Sequence, residues 1–121
     1  MAEFKLIVAG GRDFVDEKRM TEILLNVADK ELLNSEVSIV SGMAPGADAL
    51  GYKFAHTHGV KVYEFPANWR KYGKRAGFVR NAEMGQFADG VLAFWDGQSK
   101  GTKNMIDYMT NLKKLVMVVN Y

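Results

Sequence analysis

Four short segments carry the residues able to do chemistry, and three of them are rich in glycine. Gly10-Gly11-Arg12-Asp13 joins a permissive backbone to a fixed cation. Glycine lets backbone N–H groups come close to a phosphate, and a guanidinium can pair with it through two parallel hydrogen bonds. The same residues also suit a tight turn with a surface Arg12–Asp13 pair. Ser41-Gly42-Met43-Ala44-Pro45-Gly46-Ala47-Asp48 leads straight into a helical pattern. Its amides then stand at a helix N-terminus, which favours phosphate or carboxylate. Asp48 either stabilises that helix end or holds a ribose hydroxyl or a loop amide. In Arg80-Asn81-Ala82-Glu83-Met84, helical spacing puts Arg80, Glu83, Met84 and Phe87 on one face, with a surface Arg80–Glu83 pair as the plain alternative. Asp96-Gly97-Gln98-Ser99-Lys100-Gly101-Thr102 supplies another helix N-terminus, where Thr102 can cap the helix, donate to a phosphate, or do both.

The spacings also exclude chemistries. The first segment is not G-x-G-x-x-G, and no Gly-Lys-Ser/Thr follows the second, so the dinucleotide fingerprint and the triphosphate-binding loop are both absent. The chain has no cysteine, which rules out disulfides and thiolate metal sites. His56 and His58 are too few for a zinc site. They read instead as exposed or cap-forming residues near a helix C-terminus. No metal and no cofactor is expected.

These segments need elements to hold them, and the hydrophobic pattern switches between two periods. Phe4–Ala9, Val37–Ser41, Val60–Phe65, Val91–Trp95 and Leu115–Val119 are short β-rich runs, several of them apolar throughout, as strands covered on both faces are. Helical stripes fill the gaps. Met20, Ile23, Leu24 and Val27 follow Asp16 as N-cap, and Ala47, Leu50, Phe54 and Ala55 stop at Gly59. Phe78, Ala82 and Gly85 give a weaker stripe; Met105, Met109 and Leu112 give the last. This β-α-β-α-β-α-β-α-β order predicts a three-layer α/β, Rossmann-like fold with a mostly parallel five-stranded sheet flanked by helices. All 121 residues are expected to form one domain. In such sheets ligands bind beyond the carboxyl ends of the strands, where the three glycine-rich segments and Pro66-Ala67-Asn68-Trp69 fall. An irregular insert is expected from Pro66 to about Gly73.

A net charge of +2 gives little pull toward nucleic acid, but its distribution is uneven. No acidic residue lies between Glu64 and Glu83, whereas Arg70, Lys71, Lys74, Arg75 and Arg80 all do. This is either an anion-attracting segment or a solvated basic face. Trp69 and Tyr72 within it suit base stacking, or packing of the insert on its own domain. The longest apolar runs fall short of a membrane span, and Met1–Lys5 does not begin a cleavable signal. A cytoplasmic protein without membrane contact is expected.

Taken in order, these segments resemble the SLOG superfamily, which includes the DNA-processing protein A core and the LOG nucleotide hydrolases, and within it the small stand-alone branch related to YspA. The likeness rests on Gly10-Gly11-Arg12-Asp13-Phe14, Ser41-Gly42 with Gly46-Ala47-Asp48, Arg80-Asn81 with Met84 and Asp89, and Gly101-Thr102. It runs from Phe4 to about Val119. The resemblance implies a site for a nucleotide or nucleotide-derived molecule, used by a sensor, carrier or sequestering protein. LOG enzymes pair an Arg-Lys-x-x-Met motif with Pro-Gly-Gly-x-Gly-Thr-x-x-Glu to cleave the base–ribose bond. Here Asn81 replaces the lysine, Asp96 to Gly101 replaces the Pro-Gly-Gly run, and Met105 stands in place of the glutamate. Arg80, Glu83 and Asp96 are the remaining candidates for catalysis, with Asp48 another carboxylate to weigh. Phosphoribohydrolase action and single-stranded DNA binding are the alternatives, and relatives suggest a homo-oligomer.

Overall fold

In the computed structural model, which describes residues 2–30 and 35–121, five parallel strands form one sheet in the order β3-β2-β1-β4-β5. The strands are β1 (Ala2–Gly10), β2 (Ser35–Ser41), β3 (Val62–Glu64), β4 (Gly90–Trp95) and β5 (Leu115–Asn120). Four helices of three or more turns connect them: α1 (Glu17–Lys30), α2 (Ala47–Thr57), α4 (Ala76–Phe87) and α5 (Lys100–Asn111). A short α3 (Trp69–Tyr72) and a 3-10 turn (Gly73–Arg75) precede α4.

The central strands are apolar on both sides because both sides are covered. Leu6, Val8, Leu92 and Phe94 face α1 and α2, together with Ile39. Ile7, Ala9, Val91 and Ala93 face α4 and α5, where Met84, Met105 and Met109 meet them. Register aligns Leu6 with Ile39, Val8 with Leu92, and Leu92 with Met117, so apolar rows run straight across the sheet. Asp16 caps α1 by accepting from the Arg19 amide at 3.1 Å. His56 is exposed and meets the Tyr52 hydroxyl; His58 closes the C-terminal end of α2, its amide and Nδ1 both within 3.0 Å of the Phe54 carbonyl.

Three local expectations change. The strand expected over Val60–Phe65 is only three residues long, because the Val60 amide is taken by the Ala55 carbonyl at the end of α2 and Pro66 ends the run. The stretch expected to be irregular from Pro66 to Gly73 contains a helical turn, started by Asn68, whose side chain accepts from the Lys71 amide at 3.0 Å. The buried face of α4 is not the Phe78–Ala82–Gly85 stripe: Phe78 is exposed, and Asn81, Met84 and Gly85 face inward. Asn81 can be buried because every polar atom of its amide is satisfied, as described below.

The chain runs from β1 outward to β2 and β3, then crosses back to β4 on the other side of β1. The order in which strands are added therefore reverses between β1 and β4, which opens a crevice at their carboxyl ends. Among the described residues no helix is long and apolar enough to cross a membrane.

Candidate functional site

A cleft of about 480 Å³ occupies that crevice. Its floor is the end of β1, Ala9 to Asp13. One wall is α4, with Gly77, Arg80 and Met84; the opposite wall is the start of α5, with Ser99, Gly101 and Thr102. Asp48, Asp96 and Met105 reach it, and Trp69, Lys74 and Phe78 form its rim. A second hollow of about 260 Å³ adjoins it, and Arg12, Ala44, Trp69 and Arg80 line both.

The first loop is held from several sides. The Gly11 amide donates to the Phe94 carbonyl at 3.1 Å, and the Gly11 carbonyl accepts from Phe14 and Ala47. A side chain at Gly10 would collide with Phe94 and Ala47, so β1 and β4 can approach α2 only with glycine there. Asp13 accepts a 2.6 Å hydrogen bond from the Tyr121 hydroxyl, and the Tyr121 ring lies edge-on against Phe14 at 5.0 Å. Burial and the Asp13 carboxylate push the Tyr121 phenol up, keeping it a proton donor. Arg12 does not pair with Asp13. Its guanidinium is exposed in the cleft, 6.0 Å from the centre of the Trp69 ring.

The second loop turns inward instead. Ser41 is fully buried; its hydroxyl donates to the Asp48 carbonyl at 3.0 Å and accepts from the Met43 amide at 3.1 Å. The Ala44 amide donates to the Asp48 carboxylate, and the Ala47 amide to the Gly11 carbonyl. Gly46 has φ 83°, and a side chain there would run into the backbone of Gly11 and Arg12. Ser41, Gly42, Gly46 and Ala47 do not line the main cleft, although Gly42 lines the second hollow. The α2 N-terminus is thus filled by the protein's own acceptors. Asp48 alone of this segment's expected site residues reaches the cleft, 5% exposed. Burial pushes its carboxyl up to about 6, against the pull of Arg80, the Ala44 amide and Arg12.

Arg80 and Asn81 link the second loop to α5. Arg80 Nη1 donates to the Gly42 carbonyl, and Nε donates to Asn81 Oδ1 at 3.1 Å. Asn81 Nδ2 donates to the Gly101 carbonyl at 3.2 Å and to Asn104 Oδ1 at 3.0 Å. Asn81 is therefore spent on positioning. These two bonds leave other Arg80 N–H groups unused, because a guanidinium has five donors. Burial lowers its proton affinity from the ordinary arginine value. Glu83 is exposed on the outer side of α4 and lines neither hollow.

The fourth loop faces the cleft. Asp96 Oδ1 accepts from the Gln98 and Ser99 amides at 2.8 Å each, and these bonds hold its carboxyl below the usual range. Ser99, rather than Thr102, is the cap: its hydroxyl accepts from the Thr102 amide at 3.4 Å. The Thr102 side chain, nearly buried, sits 3.1 Å from Ser99 Oγ. Of the first-turn amides of α5, Thr102 donates to Ser99 Oγ and Lys103 to the Ser99 carbonyl, and at Gly101 there is open space where a side chain would stand.

Several lining residues escape sequence reading. Lys74 lies just past the insert, Phe78 on the exposed side of α4 and Ala9 on a strand, while Tyr121, outside the lining, holds Asp13 from 108 positions away. Only the basic, aromatic character of the insert signalled any of them. Asp89 lies at the other end of the sheet, where its carboxylate accepts from the Lys5 amide at 2.9 Å. Among the described residues no three histidine, cysteine, aspartate or glutamate side chains gather as metal ligands would.

Searches against curated proteins and against solved structures returned no significant match. A family model does match, described as YspA, cpYpsA-related SLOG family, over residues 4–72. That span runs from β1 through α3 and includes the first two loops and Trp69. The chain belongs to the YspA, cpYpsA-related SLOG family.

Proposed function

We propose that this protein binds a nucleotide or nucleotide-derived ligand through its phosphate in the crevice between β1 and β4, acting as a sensor, carrier or sequestering protein. The observation that carries the proposal is convergence. Arg12, Arg80 and the Gly101 turn at the start of α5 meet in one cleft of ligand size. Two guanidinium groups give charge-assisted bonds to phosphate oxygens, and the helix N-terminus adds amide donors and a favourable dipole. Gly10 and Gly11 let the floor pack closely, since a side chain there would meet Phe94 and Ala47 or Tyr121 and Asp13. Family membership supports a nucleotide-related ligand in general terms.

The test is native mass spectrometry of gently purified protein, with thermal-shift screening of wild type, Arg12→Ala and Arg80→Ala against mononucleotides. The proposal expects a nucleotide to stabilise the wild type and either substitution to remove most of that shift. Equal stabilisation of all three proteins would show that the ligand sits elsewhere.

A second reading, hydrolysis of the base–ribose bond of a nucleoside monophosphate, draws on Asp48. It is a buried carboxylate in the cleft whose proton affinity reaches about 6, suited to proton transfer near neutrality. Met105 supplies no carboxylate at the position where the LOG pattern has glutamate. Chromatography after incubation decides this reading: free base that appears with wild type and not with Asp48→Asn favours it. Intact nucleotide throughout removes it.

A further inference from the structure

Trp69 and Phe78 take no part in holding phosphate, yet both line the cleft with large apolar rings about half exposed, at 52% and 48%. Ordinary packing of the insert would bury these rings, since each removes substantial apolar area from water when covered. The backbone around them is well supported. Asn68 caps the turn that carries Trp69, and Gly77 stands beside its ring, where even a methyl side chain would reach only van der Waals distance, 3.8 Å. The ring therefore lies beside Gly77 with about half of its surface open. Arg12 approaches it at 6.0 Å from the ring centre, and Lys74 lies on the same rim. The cleft consequently combines two kinds of surface: cationic at Arg12 and Arg80, and flat and aromatic at Trp69 and Phe78, with the Arg12 guanidinium over the Trp69 ring.

From this division we infer that the ligand keeps a planar base, which stacks on Trp69 with Phe78 completing the wall. The ligand class is then a nucleoside 5′-phosphate with its base attached, rather than a sugar phosphate or an inorganic anion. The inference rests on the phosphate reading above and adds the base to it. Every nucleobase offers a π face, so Trp69 contributes affinity without choosing strongly among bases. A neighbouring guanidinium strengthens such a stack through cation–π contact.

The experiment is calorimetric titration of wild type, Trp69→Phe and Trp69→Leu with AMP, GMP, CMP, UMP and ribose 5-phosphate. In the wild type at least one nucleotide should bind about tenfold or more tightly than ribose 5-phosphate, the range expected of a base–aromatic stack. Trp69→Phe should keep most of that preference. Trp69→Leu should lower nucleotide affinity to the ribose 5-phosphate level while leaving ribose 5-phosphate binding unchanged, which also reports an intact fold. If ribose 5-phosphate binds as tightly as the best nucleotide, or the preference survives Trp69→Leu, the stacking inference is overturned and the phosphate reading stands. If none of the five probes binds the wild type, both fall together.

Discussion

The starts of α2 and α5 are alike in sequence and differ in what they face: α5 borders the cleft with Ser99, Gly101 and Thr102, and Gly46 and Ala47 of α2 do not. Each follows a strand, each begins in a glycine-containing loop, and each presents helix amides at the ligand end of the sheet. At α2 those donors are consumed: Ala47 donates to Gly11, Ala44 to Asp48, and Gly46 lies against the backbone of Arg12. At α5 the cap comes from Ser99 and a neighbouring turn from Asp96, and Gly101 meets nothing within 4 Å. One loop packs against the backbone behind the cleft, and the other borders the cleft directly. Glycine richness at a strand end does not distinguish these roles; the destination of each amide does.

Substitutions at the two glycines should separate the loops most sharply. Gly46→Ala should destabilise the fold by about 4 kcal/mol, since it places a side chain at φ 83° against the Gly11 and Arg12 backbone. Urea denaturation measures this directly. A loss below about 1 kcal/mol would mean the second loop is less tightly built than its contacts indicate.

The next effect concerns Asp48. Its folded carboxyl is raised from 3.8 to about 6, so the folded state holds the proton more tightly than the unfolded state. Its contribution to stability is fully present below about pH 3.8 and is lost as pH rises through about 6. Wild type should therefore lose about 3 kcal/mol relative to Asp48→Asn between those limits. Parallel stability curves for the two proteins would show that Asp48 is not held in that environment.

Arg80→Ala removes one phosphate partner and the brace between Gly42 and Asn81. Nucleotide affinity should fall by about 2 kcal/mol, on the order of thirtyfold, in a calorimetric titration. The smallest effect belongs to Gly101→Ala. Its added methyl meets open space in the first turn of a helix, so stability should hold or rise by up to about 1 kcal/mol. Any loss of ligand affinity in that variant would come from crowding the cleft and not from unfolding.

The central strands were legible because local pattern and tertiary role agree: Leu6–Ala9 and Val91–Phe94 are apolar on both faces and buried on both. The edge was less so, since β3 pairs on one side only and α2 captures the Val60 amide. On α4, counting apolar residues selects the wrong face. Phe78 projects into the cleft, while Asn81 is buried at 6% exposure by satisfying its amide with Gly101, Asn104 and Arg80. Those partners lie up to 23 residues away, beyond the reach of periodicity. The site was legible as a set of loops, because strand ends and glycines mark them. Which loop donates inward and which outward depends on contacts such as Ala47 with Gly11 and Tyr121 with Asp13, which no spacing announces.

Binding at the end of β1 and the start of α5, with α2 behind the wall, is the proposal most directly open to test. Amide chemical-shift mapping tests it, by titrating the tightest-binding nucleoside monophosphate into labelled protein. The account predicts the largest shifts at Gly10–Asp13, at Lys100–Thr102 and at the Trp69 indole, with Gly46–Asp48 shifting less. Shifts centred on Gly46–Asp48, with Lys100–Thr102 unmoved, would contradict it.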